Sequence, residues 1–129
     1  IVPVLAKELA NHDLSKIGVL IISFDPDTVV ACRKQIPDTR VHWLTNFKKK
    51  PTAKQIAKTV QRTGAHGVGL QSKPEIIDTK FIRELVANGC PEFHVWTVDS
   101  VTDAKRFRSL GAIGITTNIP GVMISELNN

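Results

Sequence analysis

The chain has 129 residues, 42% hydrophobic and 22% charged, with a formal net charge of +5. That is room for one domain with an ordinary core, and no stretch reaches the roughly 18 consecutive apolar residues that a membrane-spanning helix needs. The basic balance does not point to nucleic acid: lysines and arginines are spread over predicted helices without interleaved aromatics, and the single cluster, Lys48-Lys49-Lys50, reads as a solvated loop.

Residues 2–11 read as a helix with Val2, Leu5 and Leu9 on one face, and with little cap before it. Residues 19–24 are a continuous apolar strand closed by Asp25-Pro26. Asp25 stands at an N-cap and Pro26 at the first position of a helix that runs to about residue 35. Val29, Cys32 and Ile36 form its buried side, and Pro37-Asp38 ends it. A strand at 41–45 and a polar loop at 46–50 follow. Thr52 and Gln55 have capping-box spacing. Ala53, Ile56, Ala57 and Val60 form the next apolar face, and Gly64 suits a left-handed helix end.

Residues 68–70 are a short strand tipped by Gln71-Ser72-Lys73. Phe81, Ile82, Leu85 and Val86 line a helix that stops near Asn88-Gly89. Residues 93–98 are a fourth strand, whose alternation places Trp96 and Val98 on one side. Ser100 and Asp103 repeat the capping-box spacing, Ala104 and Phe107 face inward, and Gly111 closes the helix. Residues 113–116 are a fifth strand. Pro120 opens a short amphipathic helix carrying Val122 and Leu127.

Strand starts are roughly 20–27 residues apart, and a helix separates each from the next. Such spacing implies an α/β fold of parallel strands joined by right-handed crossovers. A complete doubly wound sheet and part of an eight-stranded barrel both fit it.

The chemistry-bearing residues are sparse. His12, His42, His66 and His94 form no H-E-x-x-H and no histidine–carboxylate cluster along the chain, and each reads as structural. Asp25 and Asp99 stand at strand C-terminal ends. Asp25 reads as a cap, whereas Asp99 is less committed because Ser100 is the better cap. No set of hard oxygen ligands for a divalent metal is apparent. Residues 64–69 are not a dinucleotide fingerprint, because their glycines precede a strand instead of opening a helix. Cys32 and Cys90 lack metal-ligand spacing and read as buried thiols; they fit a reducing compartment, and the expected location is cytoplasmic. No catalytic or metal-ligating residue is identified. The strand tips offer a wall instead, with Phe24, Trp43, Gln71 and Trp96 at or near them; for each tryptophan a core and a pocket reading both stand.

Ile22-Ser23-Phe24-Asp25-Pro26 resembles the S-F-D-P segment of glycerophosphodiester phosphodiesterases. Val95-Trp96-Thr97-Val98-Asp99 resembles their W-T-V-N strand tip, and residues 111–120 resemble their closing G-V-D-G-I-I-T-D-x-P. The three segments follow in the same order over about a hundred residues. The resemblance implies a TIM-type (β/α) barrel, with this chain as its C-terminal portion of about five parallel strands and outer helices. It implies metal-dependent hydrolysis of glycerophosphodiesters to glycerol 3-phosphate and an alcohol, with magnesium or calcium. The family's H-R-G, E-x-D, H-D and E-x-K segments have no counterpart here. The expectation is therefore that residues 1–129 follow a catalytic N-terminal part which holds the metal ligands, and that this chain alone is inactive. Its open edges would be covered by that part or by an oligomer. The resemblance further implies that Phe24 and Trp96 line the apolar side of the substrate pocket and that Gln71 meets a hydroxyl. Asp99 stands where the family pattern has asparagine, Asn118 where it has aspartate, and Ala112-Ile113 where it has V-D. These departures bear on substrate preference. The rival expectation is an autonomous, non-catalytic α/β binding or scaffold domain, taking anions through Lys73 or helix N-termini.

Overall fold

Apolar periodicity switches between 3.6 and 2 along the chain, and the computed structural model, which describes residues 1–128, follows those switches. The elements run α1 (Val2–Ala10), β1 (Leu20–Ser23), α2 (Pro26–Gln35), β2 (Arg40–Thr45), α3 (Ala53–Thr63) and β3 (Gly67–Gln71). They continue with α4 (Thr79–Ala87), β4 (Phe93–Trp96), α5 (Val101–Ser109) and α6 (Pro120–Leu127). The helix starts are set by side chains. The Asp25 carboxylate accepts from the backbone N–H of Asp27 and Thr28 and from the Thr28 hydroxyl, the last at 2.6 Å. Thr52 and Gln55 close a full capping box, and Gly64 ends α3 at φ 73°. Thr52→Ala is expected to cost about 1 kcal/mol, read as a lower urea midpoint, because the Gln55 backbone N–H loses its acceptor.

The four strands are parallel and lie in the order β1-β2-β3-β4. Ile22 pairs with His42, His42 with Gly67, and Gly69 with His94. One side of the sheet is covered by helices. Val41 joins Val2, Val29, Cys32 and Ile36 in one apolar cluster, and Val68, Leu70, Phe93 and Val95 join Ile56, Leu85 and Phe107 in a larger one. The other side is concave and carries apolar residues in the open: Leu20, Ile22 and Phe24 are 37%, 45% and 53% exposed. Side chains bridge the outer strands on this side. In a flat sheet β1 and β4 would stand about 14 Å apart, at ~4.8 Å per strand. Yet the rings of Phe24, just past β1, and Trp96, at the end of β4, lie 5.4 Å apart.

Several expectations change in detail. Residues 113–116 lie parallel to β4 through backbone bonds at Ile113, Gly114 and Thr116, but form one bridge, Val95 to Ile115, and not a full strand. They have β4 on one side and no described strand beyond. The pleat of β4 ends at Trp96, so Val98 does not share its side: Val98 is buried among the helix-side residues while Trp96 faces the concavity. In α6 the inward residue is Met123, with Leu127 beside it, and Val122 is 50% exposed. In α4 the buried residue is Leu85, with Phe81 and Ile82 partly covered and Val86 turned out. Among the described residues no helix is long and apolar enough to cross a membrane.

Candidate functional site

The C-terminal ends of the four strands form a mouth, where side chains from the two ends of the sheet meet. Phe24 and Trp96 meet edge to face, at an interplanar angle of 86°. This is a favoured aromatic arrangement, the positive ring edge against the negative face. Each partner is pinned. The Phe24 carbonyl accepts the Trp43 indole N–H at 3.0 Å. The Trp96 indole N–H donates to the Gly69 carbonyl at 2.9 Å, and the Trp96 carbonyl accepts from Ser72 N–H at 2.7 Å. Gln71 pairs in register with Trp96, and its carboxamide oxygen accepts from the Phe47 backbone N–H at 3.2 Å. That oxygen is committed to the β2–α3 loop. Trp43 resolves toward the core: it packs against both apolar clusters on the helix side.

Beside this wall, the Asp99 carboxylate is held by three donors. Thr117 Oγ1 and Asn118 N–H reach one oxygen at 2.9 and 2.8 Å, and the Asn118 carboxamide reaches the other at 2.9 Å. The Asn118 backbone N–H, then its carboxamide and the Thr117 hydroxyl, hold the Asp99 carboxyl below the ordinary aspartate range. The two strand-end connections are thereby tied together.

Below the mouth lies a feature that no sequence motif announces. His42 and His94 come from strands on either side of β3, yet their Nδ1 atoms are 2.8 Å apart. Both are buried. His42 Nε2 lies 2.8 Å from Glu92 Oε1, and Arg40 Nε is 3.1 Å from the same oxygen. A carboxylate only accepts, so His42 donates from Nε2, its Nδ1 is an acceptor, and His94 donates from Nδ1. His94 Nε2 then carries a lone pair, and it has no partner among the described residues. Burial, and secondarily the neighbouring His42, push His94 down to about 4. Burial also lowers His42, with Glu92 opposing. The histidine–carboxylate cluster absent along the sequence is thus made in space. Gly67 and Gly69 permit it: a Cβ at 67 would stand 2.9 Å from His42 Nε2, and one at 69 would stand 2.4 Å from His94 Cε1. The only hint in the sequence is a glycine-x-glycine strand between two strands that each carry a histidine.

The set of residues present does not fit a divalent metal. Among the described residues no three His, Cys, Asp or Glu side chains are placed to hold one metal ion. The mouth carboxylates, Asp25 and Asp99, are already engaged by backbone and hydroxyl donors. Hard cations need several oxygens with free lone pairs at one place.

The sequence model of the Glycerophosphoryl diester phosphodiesterase family matches residues 2–122. The chain belongs to that family. No curated protein is found that matches it in sequence. In structure it is similar to an Oleispira antarctica phosphodiesterase solved in complex with the product sn-glycerol-3-phosphate, with TM-score 0.79 and 15% identity over 99% of this chain and 49% of that one. A glycerophosphodiester phosphodiesterase from Parabacteroides distasonis gives TM-score 0.70 and 18% identity over 98% and 50%. One from Thermotoga maritima gives 0.64 and 13% over 93% and 52%. The chain therefore spans about half the length of these structures. Its parallel sheet with outer helices has the α/β architecture of the family's TIM-type barrel.

Asp99 and Asn118 bond each other, so both departures from the resembling pattern fall within one bonded pair. Asp99→Asn is expected to lower the melting temperature, by removing the charge from three hydrogen bonds. Adding Asn118→Asp to it is expected to restore the loss, and Asn118→Asp alone to be the least stable of the three. A melting series of the four proteins checks this.

Proposed function

We propose that this chain forms the substrate-wall half of a metal-dependent glycerophosphodiester phosphodiesterase, which releases glycerol 3-phosphate and an alcohol. The observation that carries the reading is the Phe24–Trp96 pair. Two residues from two separate family segments, 72 positions apart, close one mouth at the strand C-terminal ends, where barrel enzymes of this type place their sites. Phe24 and Trp96 give the glycerol or the leaving alcohol an apolar wall, and the Gln71 NH2 donates to a hydroxyl. Phosphodiester cleavage also needs a polarised phosphoryl group, an activated water and a proton for the departing oxygen. Asp25 and Asp99 are engaged, and His42 and His94 are buried below the mouth. These tasks fall to polypeptide outside residues 1–129, together with the magnesium or calcium of the family.

The test follows glycerol 3-phosphate release from glycerophosphocholine and glycerophosphoethanolamine with added magnesium or calcium. The 129-residue chain is expected to show none, whereas a polypeptide that joins it to the family's H-R-G and E-x-D segments is expected to turn over. In that longer enzyme Trp96→Ala is expected to raise KM about tenfold, because the substrate's carbons no longer bury against the indole. Turnover by the 129-residue chain alone would overturn this placement of the catalytic groups. Unchanged kcat and KM in Trp96→Ala across head groups would remove Trp96 from the site.

A further inference from the structure

Between Asp38 and Glu75 lie 36 residues that hold eight of the chain's 17 lysines and arginines and no aspartate or glutamate. Six of the eight form one band. Lys48, Lys49 and Lys50 are exposed in the β2–α3 loop, which runs through Pro51 into the Thr52 cap of α3. Lys54, Lys58 and Arg62 follow at four-residue spacing, so they stand in a row along α3, and all three are exposed. The row spans about 12 Å, and the loop extends it toward the mouth. The lysine cluster that reads as solvated when taken alone is thus the end of a longer basic band.

The band is unpartnered. The ion pairs among the described residues are His12–Glu8, Arg40–Glu92, His42–Glu92 and Lys80–Glu84, and none includes a member of the band. Lys54, Lys58, Gln61 and Asn88 line a cleft of about 140 Å³ between α3 and the end of α4, with no carboxylate among them. Like charges four residues apart repel along their own helix, and α3 is held against that by its opposite face, where Ala53, Ile56, Ala57 and Val60 are buried. The band also lies away from the sheet's open edges. α3 joins β2 to β3, the two inner strands, and packs between α2 and α4. Polypeptide added beside β1 or beyond residues 113–116 does not cover its outward face.

Charge without shape narrows the partner. No large apolar or aromatic side chain is exposed between residues 48 and 62, so bases have no ring to stack on and a protein partner has no anchor. Five of the six members are lysines, compact point charges without the guanidinium fork that reads guanine edges. A straight row of point charges on a convex helix meets a flat layer of anionic headgroups along its whole length. We propose that α3 and its leading loop dock this protein on an anionic phospholipid bilayer, with the six cations among the headgroup phosphates. The helix then lies along the membrane and the mouth opens along the surface. The role rests on the phosphodiesterase reading: a glycerophosphodiester is a phospholipid that has lost both acyl esters, and ester hydrolysis at a bilayer supplies it beside the docked mouth.

The test is co-sedimentation of the 129-residue chain with vesicles of phosphatidylcholine alone, or of phosphatidylcholine mixed with phosphatidylglycerol. Binding is expected to the mixed vesicles only, and to fall steeply as salt rises. Each cation at such a surface contributes a factor of roughly five. Lys54→Gln, Lys58→Gln and Arg62→Gln together are therefore expected to weaken binding on the order of 100-fold. Lys7→Gln, Lys16→Gln and Lys105→Gln together remove the same charge from exposed positions off the band, and are expected to weaken it by less than about fivefold. Lys48→Gln, Lys49→Gln and Lys50→Gln together leave every helix untouched and are expected to match the α3 triple, which keeps the test decisive if α3 is destabilised. Equal binding to neutral vesicles overturns the proposal, because the contact is then apolar. Equal losses in the band and control triples overturn it, because net charge alone is then at work. Tighter binding to a DNA duplex than to the mixed vesicles at equal phosphate concentration assigns the band to nucleic acid and also overturns it. None of these readings involves turnover. An inactive longer polypeptide counts against the phosphodiesterase reading alone, and unbound vesicles count against the docking face alone.

Discussion

Replacing Gly67 with alanine is expected to lower stability by about 3 kcal/mol, the upper end for overpacking a well-filled site. The new Cβ would stand 2.3 Å from the Glu92 carbonyl oxygen and 2.6 Å from Glu92 Cγ. The carbonyl is backbone and accepts from Val68 N–H at 3.2 Å. Relief therefore requires moving the start of β4 away from β3, which also draws Glu92 from His42. Gly114→Ala is the matched control, because its Cβ would meet nothing within 4 Å. Urea midpoints separate the two: a large drop for Gly67→Ala against little change for Gly114→Ala. Equal midpoints would show that the strand entrance yields freely.

Acid is expected to destabilise the fold in a defined window. His94, His42 and His66 all have lowered pKa values in the native state, chiefly through burial. As pH falls below 6.5 the unfolded chain takes up protons that the native chain refuses, so stability falls with pH. The decline from His94 continues until about pH 4, where the native ring protonates as well. Its share is on the order of 2 kcal/mol, allowing for the solvent that reaches the open concave face. Denaturant titrations between pH 7 and 4 should show this slope, and His94→Leu should flatten it. Asp25 and Asp99 are shifted the other way, below the usual carboxylate value of 3.8. Their contribution is present above that value and is lost only below it, so the two effects occupy different pH ranges. A stability curve flat from pH 7 to 4 would mean that the histidine pair is solvated in solution.

The alternation of helix and strand is legible in the sequence because each boundary has a local cause: Asp25 and Thr52 as caps, Gly64 at positive φ, Pro26 at a helix start. The juxtaposition of Phe24 and Trp96 is accessible only through the family resemblance, since their contact depends on how far four strands curl. The fifth strand falls short of expectation: residues 113–116 have strand composition but meet β4 through a single bridge. Val122 gives way to Met123 as the inward residue because both fit a short helix, and the choice depends on where α6 packs against α5. The Arg40–Glu92–His42–His94 layer leaves only one trace in the sequence, the Gly67-x-Gly69 strand between two histidine-bearing strands. It joins residues up to 54 positions apart through the register of β2, β3 and β4, and no one-dimensional spacing encodes a register.

The bond between Asp99 and Asn118 also constrains how such a pair can change and its reverse arrangement arise. Asparagine and aspartate codons differ by one nucleotide, so the pair changes one member at a time, through an intermediate with two amides or two carboxylates. Two amides keep the geometry and lose only the charge on the bonds. Two carboxylates would face each other at the 2.9 Å now spanned by a donor and an acceptor, and like charges at that range are strongly disfavoured. Lineages between the two forms should therefore carry asparagine at both positions. A descendant with aspartate at both should persist only where a proton or a bound cation sits between them.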